Sequence, residues 1–154
     1  MPEIQKKLKN LGIALPEPPA PVASYRPWVL SKGLLFISGQ IPVEGGKLCC
    51  EGKVTIDVSI EQAINCAKLC FVNLLAVSKD AIINLDNINR IVRLEVFVAS
   101  PPSFDGHPTI ANGASDLAVE IFADKGTHAR IAVGAPSLPL NAPVEIAGIL
   151  EVDY

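Results

Sequence analysis

His128-Ala129-Arg130-Ile131-Ala132-Val133-Gly134, followed by Leu138-Pro139-Leu140-Asn141-Ala142-Pro143-Val144-Glu145-Ile146, reads as two strands joined by a proline-punctuated loop. In the first strand Ile131, Val133 and Ala135 alternate with Arg130, Ala132 and Gly134, which leaves one greasy face and one nearly bare face around a single guanidinium. The second strand, 143 to 152, puts Val144, Ile146, Leu150 and Val152 on one side and Glu145 and Glu151 on the other. An arginine and a glutamate on otherwise apolar strands are costly unless they are paired, solvated or used. The rest of the chain reads as a scaffold for these two residues.

Upstream, Trp28-Val29-Leu30 and Leu34-Leu35-Phe36-Ile37-Ser38 flank Ser31-Lys32-Gly33, a three-residue hairpin connection ending in glycine. Gly39-Gln40-Ile41-Pro42 closes the second of these strands, and Glu44-Gly45-Gly46-Lys47 turns the chain again, with room for one more short strand. Ser59 with Gln62 is a capping box that opens a helix to about Ser78. Its apolar stripe is Ile60, Ala63, Ile64, Ala67, Cys70, Phe71 and Leu74, opposite Glu61, Asn65 and Lys68. Asn84 to Asn89 is a polar connection. Arg90 to Ala99 then alternates, with Val92, Leu94, Val96 and Val98 on one face and Ile91, Arg93, Glu95 and Phe97 on the other. A second helix starts near Pro108, carries Ile110, Ala114, Leu117, Ala118, Ile121 and Phe122 on one side, and stops at Gly126.

Residues 2 to 12 read as a short amphipathic helix, and the prolines at 16, 18, 19, 21 and 27 predict an extended lead-in after it. The division is a helix and lead-in over 1–20 and a single domain over 21–154. Two helices cannot cover both faces of a sheet this wide, so the fold class is two-layer α+β with both helices on one face. The other face is expected to meet partner subunits, in line with a charged fraction of only 19%.

With a net charge of −3 and no basic run longer than Lys6-Lys7, the footprint of a nucleic-acid binder is missing. No apolar run reads as a membrane span, and the N-terminus lacks a signal peptide's apolar core. Cys49, Cys50, Cys66 and Cys70 form no zinc-type spacing, and His107 and His128 are isolated. They read as reduced thiols without metal, in a cytoplasmic protein.

Ser38-Gly39-Gln40-Ile41-Pro42, the strand at 90–98, Ala129-Arg130, Leu138-Pro139 and Val144-Glu145-Ile146, in that order, resemble the YjgF family of reactive-intermediate (imine) deaminases, also called endoribonuclease L-PSP. The resemblance runs from about residue 20 to the end and has the look of a divergent branch. It implies a chorismate-mutase-like fold assembled as a homotrimeric barrel, with active sites in the clefts between subunits. It further implies that Arg130 grips the carboxylate of a 2-imino acid and that Glu145 positions or activates the hydrolytic water, without metal or cofactor. Trp28 falls where a tyrosine commonly lines the pocket, Gly39 where the ligand approaches backbone, and Asn112 near the rim. Ala132 stands where a cysteine or serine is usual and where only backbone is thought to matter.

Each of these residues has a plainer reading. Arg130 alone reads as a solvated strand end or half of an ion pair with Glu145, which would hold that glutamate ionised. Trp28 reads as wall, His128 as a turn or interface residue, and Arg93 with Glu95 as intersubunit pairs. Three functions stay open: imine hydrolysis to 2-oxo acids and ammonia, non-catalytic binding of small carboxylates such as 2-oxo acids, and, third, ribonuclease activity.

Overall fold

The computed structural model describes residues 1–20 and 23–154. Helix α1 spans Glu3–Asn10 and ends before Gly12, whose φ of 72° is the left-handed conformation that glycine adopts freely. Its Ile4 and Leu8, one turn apart, are buried in the common core. Two of its free backbone amides, on Glu3 and Ile4, donate to the Asp86 carboxylate at 2.8 Å each, so the helix is capped by a residue far along the chain. The boundary drawn between 20 and 21 falls at Pro21 and Val22, and the stretch of lead-in that holds those two positions lies outside the described residues.

Strands β1 (Trp28–Ser31) and β2 (Leu34–Gln40) pair with Ser31 opposite Leu34. The connection is therefore the two residues Lys32 and Gly33, both at positive φ (50° and 77°), and not the three expected. Positive φ at both central positions gives a turn whose twist matches that of the strands. A small hairpin follows, β3 (Val43–Glu44) and β4 (Lys47–Leu48), turning at Gly45-Gly46.

Helix α2 (Ile60–Ile82) has both halves of the Ser59/Gln62 capping box and runs one turn past Ser78, to a left-handed Ile83. The expected stripe holds in its first half, except that Ile60 is exposed. From Cys70 to Ser78 every residue is buried, because the helix is packed on the sheet, on the second helix and under the β1 and β3 segments. That burial also explains a feature the sequence reading missed. By length and mean hydropathy (1.3) α2 could cross a membrane, but it is the core helix here.

A short 3₁₀ turn at Leu85–Asn87 leads into β5 (Ile88–Ala99). Strand α–β alternation resumes with α3 (His107–Phe122), β6 (Ala129–Ala135) and β7 (Val144–Val152). The sheet order is β1-β2-β7-β5-β6, antiparallel throughout except for the β5–β6 pair. Both helices lie on one face, as the pattern required. Gly113 lets them meet closely, since a Cβ there would collide with the Ile64 carbonyl of α2.

The faces of β5 differ from simple alternation. Register shifts against β7 at Ile88/Arg90 and Ile91/Arg93 insert extra residues, so Ile91 is buried with Leu94, Val96 and Val98 while Val92 is only half-buried. Arg93 and Glu95 pair with each other at 3.1 Å, within one strand. The face without helices leaves Val29, Phe36, Ile131 and Val133 exposed around that ion pair.

Leu94→Ala, at a fully buried position, is expected to cost about 2–5 kcal/mol. Ser59→Ala, which removes one half of the box, should cost about 1 kcal/mol. Urea unfolding at constant protein concentration checks both, and near-equal losses would contradict this ranking.

Candidate functional site

Arg130 is the second residue of β6, opposite Leu94 of β5. Leu94 faces the helices, so Arg130 does too, and its side chain meets the first half of α3. There its Nη1 donates to Asn112 Oδ1 at 2.8 Å and to Ser115 Oγ at 3.1 Å. Asn112 and Ser115 are three apart on the helix and so share a face. His128 joins from the loop before β6, with Nε2 2.9 Å from Ser115 Oγ and Nδ1 2.6 Å from the Gly126 carbonyl. A carbonyl only accepts, so the proton of the neutral ring sits on Nδ1 and Nε2 accepts the Ser115 hydroxyl. Gly126 is itself required, because a Cβ there would strike the Ala118 carbonyl.

The guanidinium is therefore held by two neutral oxygens. The ion pairs among the described residues are Lys7–Glu3 and Arg93–Glu95, and neither involves Arg130 or Glu145. The expected Arg130–Glu145 pair does not exist within the chain. Ala132 follows Arg130 on the same face, and Gly134 follows Ala132 against Ser100 and His107, which lie 3.4 Å apart.

Glu145 belongs to the other face. It is opposite Phe97, which is opposite Val133, and this row points away from the helices. Its nearest sequence-predicted companion is Gly39, in the irregular register between Ile37 and Gln40 where β2 crosses β7. A Cβ on Gly39 would collide with Glu145 Oε1, so glycine leaves the space the carboxylate occupies. Partial burial pushes the Glu145 carboxyl above its ordinary value, the reverse of what an ion pair with Arg130 would do. A half-buried carboxyl shifted in this way is a candidate general acid or base.

Trp28 stands on β1, at the opposite edge of the sheet from β6. Its indole N–H donates to Asp80 of α2 at 3.0 Å while the ring packs on the core. One chain thus assembles Arg130 with Asn112 on one side of the sheet and Glu145 with Gly39 on the other, and leaves Trp28 at the far edge. Ser115 and His128 are members of the Arg130 cluster that the motif reading did not assign. The helical spacing of Asn112 and Ser115 was the available signal.

Of the four thiols, Cys70 is fully buried, 3.6 Å from the Val144 carbonyl, as packing required. Cys49, Cys50 and Cys66 differ from the expectation of unrelated thiols, because their sulfurs all lie within 4.8 Å of one another. Burial pushes the Cys50 and Cys66 thiols up.

The family model described as "YjgF/chorismate mutase-like, putative endoribonuclease" matches residues 5–150. Protein TCP17 of Trypanosoma cruzi is 36% identical over 151 residues, which cover 97% of this chain and 94% of that protein. A RutC family protein of Aquifex aeolicus is 32% identical over 137 residues, covering 87% and 93%. The crystal structure of Atu1372 from Agrobacterium tumefaciens, a protein of unknown function, aligns with a TM-score of 0.92 at 44% identity over 97% of this chain and 92% of that one.

Because the folded Glu145 carboxyl is raised, its ionised form costs stability above that shifted value, and the cost vanishes below the ordinary carboxylate range, where it is protonated folded and unfolded alike. Glu145→Gln should therefore raise the melting temperature near neutral pH and leave it unchanged in acid. A variant less stable than wild type at neutral pH would show that Glu145 has a charged partner in the assembled protein.

Proposed function

The chain belongs to the YjgF/chorismate mutase-like family, and from that premise we propose that it hydrolyses 2-imino acids to 2-oxo acids and ammonia in a cleft between copies. The observation that carries this reading is the Arg130 guanidinium, oriented by Asn112 and Ser115 and without a carboxylate of its own among the described residues. Nη1 is engaged, which leaves the Nε and Nη2 edge to take a planar carboxylate through two parallel hydrogen bonds.

An imine carbon is already electrophilic, so the protein has little to do beyond orientation and proton transfer. Water adds to C2 as the C=N π electrons move to nitrogen. Glu145 accepts a proton from that water, and its raised affinity for protons suits returning one to nitrogen. Collapse of the carbinolamine then expels ammonia and leaves the 2-oxo acid. Each step balances without a metal or an organic cofactor.

Arg130 and Glu145 lie on opposite faces of one sheet, so the cleft is completed where the β6 edge of one copy meets the open face of another. The exposed Val29, Phe36, Ile131 and Val133 supply an apolar surface for that contact, and we propose the closed form to be a homotrimer. Gly39 lies beside Glu145 in this cleft, Ala132 offers backbone beside Arg130, and Trp28, on the opposite edge, supplies wall from an adjoining copy. The free thiols fit a reducing, cytoplasmic setting.

The second reading is a binding module for 2-oxo acids, favoured by the same guanidinium. The ribonuclease reading draws on family naming alone and sits poorly with a net charge of −3.

Ammonia release from freshly generated 2-imino acids tests the proposal. Wild type should accelerate it, with kcat/KM falling about 100-fold or more in Arg130→Ala and in Glu145→Gln, as expected for groups that act in the transition state. No acceleration over small, branched and aromatic imines would reject hydrolysis, and calorimetry with 2-oxo acids would then decide for binding. Sedimentation should give a trimer for wild type and Arg130→Ala, and smaller species for Val133→Asp. A monomeric wild type would remove the intersubunit cleft.

A further inference from the structure

We propose that Cys49, Cys50 and Cys66 form a binding site for one thiophilic d¹⁰ metal ion, with Zn²⁺ as the reference ion. Cys66 projects from α2 and is held rigidly. Cys49 and Cys50 lie in the irregular segment after β4, which folds back over the first half of α2. The Sγ atoms of Cys49 and Cys50 are 3.8 Å apart, those of Cys50 and Cys66 2.9 Å, and all three fall within 4.8 Å of one another.

A zinc–thiolate bond of about 2.3 Å sets the edges of a tetrahedral site near 3.8 Å. One edge of the thiol triangle already has that length. Loading widens the short Cys50–Cys66 edge, and the yielding part is the irregular segment, while α2 stays fixed. Packing does not account for the cluster, because Cys49 is exposed and Cys50 only half-buried. An apolar pocket would use the thiols as Cys70 is used, fully enclosed and against a backbone carbonyl.

All three cysteines line a cavity of about 610 Å³ whose walls also carry Glu44, Glu120 and Lys68. Three thiolates and a divalent ion leave one negative charge, in a cavity whose wall carries one cation, Lys68, and two carboxylates, Glu44 and Glu120. The fourth coordination position opens into the cavity, where water or a carboxylate oxygen completes the tetrahedron. Three protein ligands with an open position make an exchangeable site, unlike the closed four-ligand structural sites. None of these residues belongs to the Arg130 or Glu145 clusters, so the site stands or falls apart from imine hydrolysis.

The test uses the full chain, reduced and stripped of metal. Zn²⁺ alone is titrated in competition with a chromophoric chelator, and Cd²⁺ is followed by its thiolate-to-metal charge-transfer absorption. The expected result is one ion per chain, with affinity about 100-fold weaker in Cys49→Ser and in Cys50→Ser and unchanged in Cys70→Ala. Cys49 is exposed, so its variant tests the ligand set without threatening the fold, and circular dichroism verifies that. Absence of stoichiometric uptake overturns the proposal. So does unchanged affinity in both serine variants, or a Cys50–Cys66 disulfide that persists under reduction and excludes the ion.

Discussion

Two helices cover one face of a five-stranded sheet, and nothing within the described residues covers the other. This one-sided burial is the constraint on which the remaining features depend. On the covered side, Leu35, Ile91, Leu94, Val96, Ile146 and Leu150 are closed off by α2 and α3. On the open side, Val29, Phe36, Ile131 and Val133 keep between 36% and 52% of their surface in contact with solvent. Full burial of an exposed side chain of this kind yields about 1.5–3 kcal/mol, and since each of these is already about half-buried or more, covering it adds roughly half of that or less. Arg93 and Glu95 neutralise each other in the middle of it, which lowers the cost of drying the face.

The same constraint determines where chemistry can sit. Side chains on a strand alternate between faces, so residues of odd and even register relative to one another are separated by the sheet itself. Arg130 falls on the side of the helices and finds Asn112 and Ser115 there. Glu145 falls on the open side and finds only Gly39. Two residues whose chemistry is complementary are thus kept from pairing within one chain. A structural ion pair would have required them on one face.

Much of the fold was legible in the sequence because its signals are local. The Ser59/Gln62 box, the helical stripe on α3 and the alternation in β7 each appear in the structure as read. What escaped notice depends on neighbours. Val92 loses its place on the buried face to register shifts that only the pairing of β5 with β7 reveals. The second half of α2 is enclosed all round because of what packs on it, not because of its own periodicity. Arg130 and Glu145 could be singled out as unusual from their apolar surroundings, but their separation by the sheet requires the order β7-β5-β6. Ser115 and His128 are ordinary residues in sequence and become part of a network only through α3 and the Gly126 turn.

The Arg130 cluster also argues against a purely structural role for that residue. An arginine kept for stability is best served by a carboxylate, since the bidentate pair is among the strongest contacts a guanidinium makes. Asn112 and Ser115 give it position without charge, and His128 fixes the serine hydroxyl in turn. An uncompensated cation whose orientation is fixed by neutral acceptors contributes less to folding than an ion pair would. It is ready for an incoming anion without first having to release a bound carboxylate. Among the described residues of one chain, the neutral oxygens of Asn112 and Ser115 orient the guanidinium and leave its charge unpaired.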